Sequence, residues 1–278
     1  SIYHGLSRER TQKLKVLDNN NFKGILRIYA LSLEMVSHSD GRIDEKLILD
    51  FLEAYQTRKT LTIAELWVLP LMLVIALIEN INIISKKVEN SQSQLRIIKE
   101  WEGLEKEHLF ISIKKHIETK KSIHPILAEF LVKILKKNSI HNKEFEAYLL
   151  EKLEKREENI EDIIQQSYHQ QAARKVSIGN SITSIHTIEN LNWNNIVEKL
   201  SVVERILRMD PAGIYSRMDF ESRDYYRREI IAIAKECGVA ESYVAKKAID
   251  CAKNFADKNV ILKRKLVGFY LIDSGKKQ

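Results

Sequence analysis

The chain has 278 residues, with 45 Lys and Arg against 38 Asp and Glu, and a formal net charge of +7. That length gives one large domain or two small ones with a sizeable core, and 44% hydrophobic content argues against wholesale disorder. Nine glycines and three prolines supply too little turn chemistry for an all-β or doubly wound fold, so the chain reads as all-α: a multi-helix bundle of antiparallel helix pairs with no sheet of any size.

Basic residues gather at 114–137 (Lys114, Lys115, Lys120, Lys121, Lys133, Lys136 and Lys137) and again at 263–265, while acidic residues answer them over 144–161. Solvated helix faces are the first account of this pattern. Docking on an anionic membrane surface comes second, and nucleic acid last, because no zinc-finger or RNA-binding signature accompanies the charge. Cys237 and Cys251 are too few for a disulfide framework and point to a reducing compartment. No signal peptide opens the chain, and its start at Ser1 rather than Met suggests a piece of a longer polypeptide.

In chain order, the Asn-rich break 19–21 precedes a helical pattern over 22–36. Asp40-Gly41 is a stop signal, and a second helix follows over 44–55. Thr62 with Glu65 makes a capping box that starts a long helix reaching about residue 87. Pro70 should kink or break it near Leu69. The uncharged run 66–78 is shorter than the roughly 20 residues of a bilayer span, so it reads as a buried core helix and the chain as soluble.

Helical spacing returns over 91–101, 105–118, 124–137 and 142–157, with short polar links such as 137–139. A Gln-rich helix covers 159–173, and the block 176–190 adds small residues that permit close helix contact. Short helices begin at Trp193 and at Ser201, the second ending at Asp210-Pro211. A hairpin of helices, 221–237 and 241–256, turns at Gly238. The apolar strip 266–272 ends the pattern as a helix or a short strand. The expected division is an amino-terminal bundle, 1–172, and a carboxy-terminal helical subdomain, 173–278.

No catalytic constellation, metal site or cofactor motif stands out. The eight histidines never fall four residues apart, neither cysteine has a neighbouring His, and Gly179 stands alone where a phosphate-cradling loop needs several glycines. Asp219-Phe220-Glu221 has the look of a metal-binding acidic pair, but Asp219 is placed to N-cap a helix and Glu221 to complement its dipole. The residues singled out are therefore architectural or recognition residues: Trp67, Glu79, Asn80, Asn180, Asp210, Arg217, Arg223, Asp224, Tyr226 and Arg227. Arg223 and Arg227 are expected to reach carboxylates such as Asp210 or Asp224 at the break, forming a partly buried elbow.

Three blocks carry a resemblance: 61–80 (LTIAELWVLPLMLVIALIEN), 176–185 (VSIGNSITSI) and 210–230 (DPAGIYSRMDFESRDYYRREI). Together they resemble the amino-terminal region of bacterial cyclic β-1,2-glucan synthases, with the likeness running from about residue 61 to 273. The resemblance implies one piece of a large membrane enzyme that polymerises glucose from UDP-glucose. It places this piece on the cytoplasmic side of the bacterial inner membrane, partnered by the remaining domains of the parent chain. It also implies that the sugar-nucleotide site lies in a separate glycosyltransferase domain, so the isolated chain is not expected to transfer glucose. A free-standing helical adaptor that binds protein or nucleic acid through basic faces is the alternative.

Overall fold

The computed structural model describes residues 14–18, 23–120, 122–136, 143–156, 159–256, 265–273 and 275. Among them the chain is all-α, with twelve α-helices and no strand; its one β feature is an isolated antiparallel bridge between Val16 and Leu26. The helices are α1 (Arg27–His38), α2 (Glu45–Gln56), α3 (Ile63–Trp101), α4 (Lys106–Thr119), α5 (Pro125–Lys136) and α6 (Lys143–Arg156), then α7 (Ile160–Asn190), α8 (Trp193–Leu200), α9 (Val202–Leu207), α10 (Phe220–Cys237), α11 (Glu241–Ala256) and α12 (Val267–Leu271). The expected start at Phe22, the 19–21 break, the 137–139 link, the ends of the 142–157 helix, and Lys121, Lys137, Lys263 and Arg264 lie outside the described residues.

Local signals account for most helix ends. Asp44 caps α2 by accepting from the Leu47 N–H at 2.8 Å. Thr62 and Glu65 form the reciprocal capping box: the Thr62 hydroxyl accepts from the Glu65 N–H at 3.2 Å, and the Glu65 carboxylate accepts from the Thr62 N–H at 2.8 Å. Gly238 ends α10 in the left-handed region at φ +68°, where a side chain would be strained.

Pro70 does not break α3, which runs as one helix of 39 residues and absorbs the separate 91–101 helix expected from the pattern. An interior proline costs about 3 kcal/mol, but Leu66, Leu69 and Leu73 around it are at most 1% exposed. Burial of each is worth about 1.5–3 kcal/mol, so packing outweighs the lost hydrogen bond. In the same way 159–173 and 176–190 are one helix, α7, of 31 residues. The strip 266–272 resolves into the short α12.

Contacts group the chain by packing rather than chain order, into Ser1–Leu77 with Ser181–Gln278 and, separately, Ile78–Asn180. The first unit has a core in which Leu66, Leu69, Leu73 and Leu77 of α3 meet buried residues of α1, α2 and α8–α12. Within it, Ser184 of α7 bridges the turn after α1: its hydroxyl donates to the Gly41 carbonyl at 2.8 Å and accepts from the Ile43 N–H at 2.7 Å. The second unit has its own core, with Phe110 stacked on Phe145 at 4.3 Å and Ile113, Leu127 and Leu131 almost wholly buried.

An 18-residue window of α3 has mean hydropathy 2.0 and is 44% buried. By length and composition α3 can cross a membrane, a test that core helices also pass. The leucines at 66, 69, 73 and 77 are buried as expected, while Ile75 and Ile78 at the end of the run are exposed. Leu73 is fully buried, so Leu73→Ala should cost about 2–5 kcal/mol. Thermal unfolding measures this, and an unchanged melting temperature would place Leu73 on a surface.

Candidate functional site

The block 210–230 folds into a turn, a single 3-10 turn at Tyr215–Arg217, and α10. Asp210 builds the turn. Its carboxylate Oδ2 accepts from the backbone N–H groups of Ile214 and Tyr215 at 3.1 and 3.3 Å, and its carbonyl accepts from the Gly213 N–H at 2.9 Å. Gly213 sits at φ +65°, a conformation glycine takes without strain. Asp219 then N-caps α10, accepting from the Ser222 N–H at 2.7 Å, and this hydrogen bond holds its carboxyl below the usual range.

α10 carries a run of guanidinium groups toward two glutamates on α8 and α9. Arg223 makes three hydrogen bonds to Glu198, at 2.9–3.0 Å, and a further one to the Met218 carbonyl. Arg227, one turn later, donates through Nη1 to Glu198 at 3.1 Å and to Glu204 at 2.8 Å. The side chains of Arg227 and Glu204 are each 1% exposed, so this pair lies in the interior. The Tyr215 hydroxyl donates to the same Glu204 oxygen at 2.7 Å. Burial, then the Glu204 charge, pushes that phenol well up, so it stays a protonated donor. Burial works against the charge on Arg227, but Tyr215, Glu204 and Asp224 outweigh it, and its pKa is raised.

Asp224 and two outer arginines complete the network. Arg228 donates to Asp224 at 2.8 and 3.0 Å, and Asp224 stands 3.5 Å from Arg227 Nη2. Arg208 reaches Glu204 at 2.9 Å and Glu198 at 3.2 Å. Arg208 and Arg228 are about half exposed, so water screens their pairs and they add little. The Phe220 ring lies 4.9 Å from the Arg227 guanidinium and meets Trp67 of α3 edge-on at 6.2 Å.

Arg223, Asp224, Arg227 and Trp67 are thus brought to one place. Asp210 and Tyr226 are adjacent through Tyr215, whose ring Tyr226 meets edge-on at 5.5 Å. Arg217 is exposed on the 3-10 turn. Of the carboxylates expected for Arg223 and Arg227, Asp224 stands 3.5 Å from Arg227, and the pairing with Asp210 is corrected. Asp210 turns its carboxylate to backbone N–H groups, and Glu198 and Glu204 take the arginines. In the other unit, the Asn80 amide donates to the Ser177 hydroxyl at 3.0 Å, Glu79 is exposed and Asn180 is half-buried.

The sequence reading missed Glu198, Glu204, Tyr215 and Arg208. Ser201-x-x-Glu204 has capping-box spacing, and the Ser201 hydroxyl does accept from the Glu204 N–H at 3.2 Å. That signal predicts a cap, not that the glutamate turns inward to an arginine. Glu241 was also missed. It accepts from the Ile63 N–H at 2.9 Å, so a residue of α11 caps α3, and burial raises its carboxyl.

No protein-family model matches the chain. Over 261 residues it is 27% identical to the cyclic beta-(1,2)-glucan synthase NdvB of Rhizobium meliloti (strain 1021). The chain is related to a region of the cyclic β-1,2-glucan synthase family. The match covers 89% of this chain but only 9% of NdvB, so the chain spans a small fraction of that relative's length.

Two measurements test these assignments. Arg227→Lys keeps one charge but loses the planar guanidinium whose Nη1 donates to Glu198 and Glu204 while Nη2 faces Asp224, so it should lower the melting temperature more than Arg228→Lys at the exposed rim; equal shifts would make Arg227 an ordinary surface charge. In the unit 78–180, burial and then Lys120 depress the pKa of His116, and burial, Arg174 and His116 depress that of His124. The unfolded chain, titrating near 6.5, then binds protons before the folded one does, so stability falls as pH drops below about 6.5. Replacing both with Gln should flatten the melting temperature between about pH 7.5 and 5.5, and an unchanged slope would assign it elsewhere.

Proposed function

We propose that the chain is a non-catalytic helical scaffold within a membrane-bound, cyclic β-1,2-glucan synthase-like protein that polymerises glucose from UDP-glucose. The carrying observation is the match of nearly the whole chain to a small part of a much longer glucan synthase. The charged residues of 210–230 fit this role, since Arg223, Arg227, Glu198, Glu204 and Asp224 are engaged with one another inside the fold. A catalytic group, by contrast, must touch substrate. The partners are the remaining domains of the parent chain, on the cytoplasmic side of the bacterial inner membrane. Exposed Ile83, Val88 and Leu95 on α3 offer apolar contact to a glycosyltransferase domain or its membrane helices.

The test has two arms. The isolated chain, incubated with UDP-glucose, should release no more UDP than a buffer control. In the full-length parent, Arg227→Lys should reduce glucan synthesis although it leaves every glycosyltransferase residue intact. Turnover by the isolated chain that is lost on Asp219→Ala would contradict the scaffold reading.

A further inference from the structure

A pocket of about 240 Å³ opens beside the elbow, between the Asp210 turn, α10 and α12. Its walls are mostly apolar and include Ile214, Leu266, Phe269 and Ile272, with the Tyr226 ring on one side. Tyr226 lies flat enough on α12 that a Cβ at position 268 would fall on its hydroxyl, so Gly268 is what seats the ring there. Asp210 lines the same pocket. It is 7% exposed, and while Oδ2 holds two backbone N–H groups, Oδ1 is buried and has no hydrogen-bond partner among the described residues.

A buried carboxylate oxygen without a donor is costly, and a cation relieves that cost more than a neutral hydroxyl does. Among the described residues the lining holds the acidic side chains Asp210 and Asp273 and no basic one. An apolar slot with an aspartate in its lining matches a particular ligand shape, an aliphatic stem ending in a charged donor head. We propose that this pocket binds a primary ammonium group on an aliphatic stem, whether the end of a lysine side chain or a free alkyl amine. The site is independent of the scaffold role, which stands or falls separately.

Calorimetric titration of the 278-residue chain with n-butylammonium chloride tests the site, with n-butanol and glucose as neutral comparisons. The expected result is saturable binding of n-butylammonium and none of either neutral probe. Asp210→Asn preserves an acceptor for the turn but removes the charge, and it should weaken binding at least tenfold. Ile272→Trp, at a partly exposed position on the pocket lining, should do the same by filling the slot, and it carries the test if the Asn variant does not fold. Tighter binding of a lysine-containing peptide would name a polypeptide as the source, and equal binding would name a free amine; either supports the ammonium assignment. Absence of n-butylammonium binding, binding unaffected by a folded variant, or binding of glucose instead would overturn it.

Discussion

The contact between Glu204 and Arg227 places two opposite charges where water hardly reaches. Removing such groups from water costs several kcal/mol per ion, and attraction alone returns this only when the geometry is good and further hydrogen bonds complete the site. The surroundings of the pair supply several of those bonds, while Arg227 Nε and Nη2 are buried with no hydrogen-bond partner among the described residues. Tyr215 donates to Glu204, Arg208 takes its other oxygen, Glu198 accepts from both Arg223 and Arg227, and Asp224 stands 3.5 Å from Arg227 Nη2. The partners come from α8, α9 and its C-cap, the 210–217 turn and α10, so the network is complete only when all four are in place. Removing one partner of such a pair is strongly destabilising, because it leaves an uncompensated buried charge.

The turn is what makes that arrangement reachable. Asp210 pins the backbone of Ile214 and Tyr215, which delivers the Tyr215 ring into the core with its hydroxyl at Glu204. α9 ends at Leu207, and Gly213 at φ +65° allows the reversal that follows. Asp219 then restarts the helix in a phase that puts Arg223 and Arg227 on the inward face, one turn apart.

The all-α class was legible because helical spacing recurs through the chain and turn residues are scarce. The caps at Thr62, Asp219 and Gly238 were legible because each acts within a few residues of itself. The lengths of α3 and α7 were not. At Pro70 a local penalty is overridden by burial of leucines whose partners lie far away in sequence, and in α7 a run of Ser, Thr and Gly resembles a break although Ser181 and Ser184 are buried against neighbours. The same limit applies to the site. Arg223 and Arg227 stand out in a dense charged string, and Asp224 is a local partner of Arg227, but Glu198 and Glu204 lie 19–29 residues away on other helices, and periodicity carries no information about such pairings. Asp210 was recognised as important and given the wrong partner, because its sequence neighbours show a carboxylate near arginines and do not show which atoms face it.

The central claim is that Glu204 and Arg227 act as one buried unit. A double-mutant cycle in denaturant, using Glu204→Gln, Arg227→Met and the combination, measures it most directly. Each single change strands a buried partner and should cost about 3–5 kcal/mol. The double change should cost clearly less than the sum, with a coupling energy of about 1–3 kcal/mol. Additivity within about 0.5 kcal/mol would contradict the account.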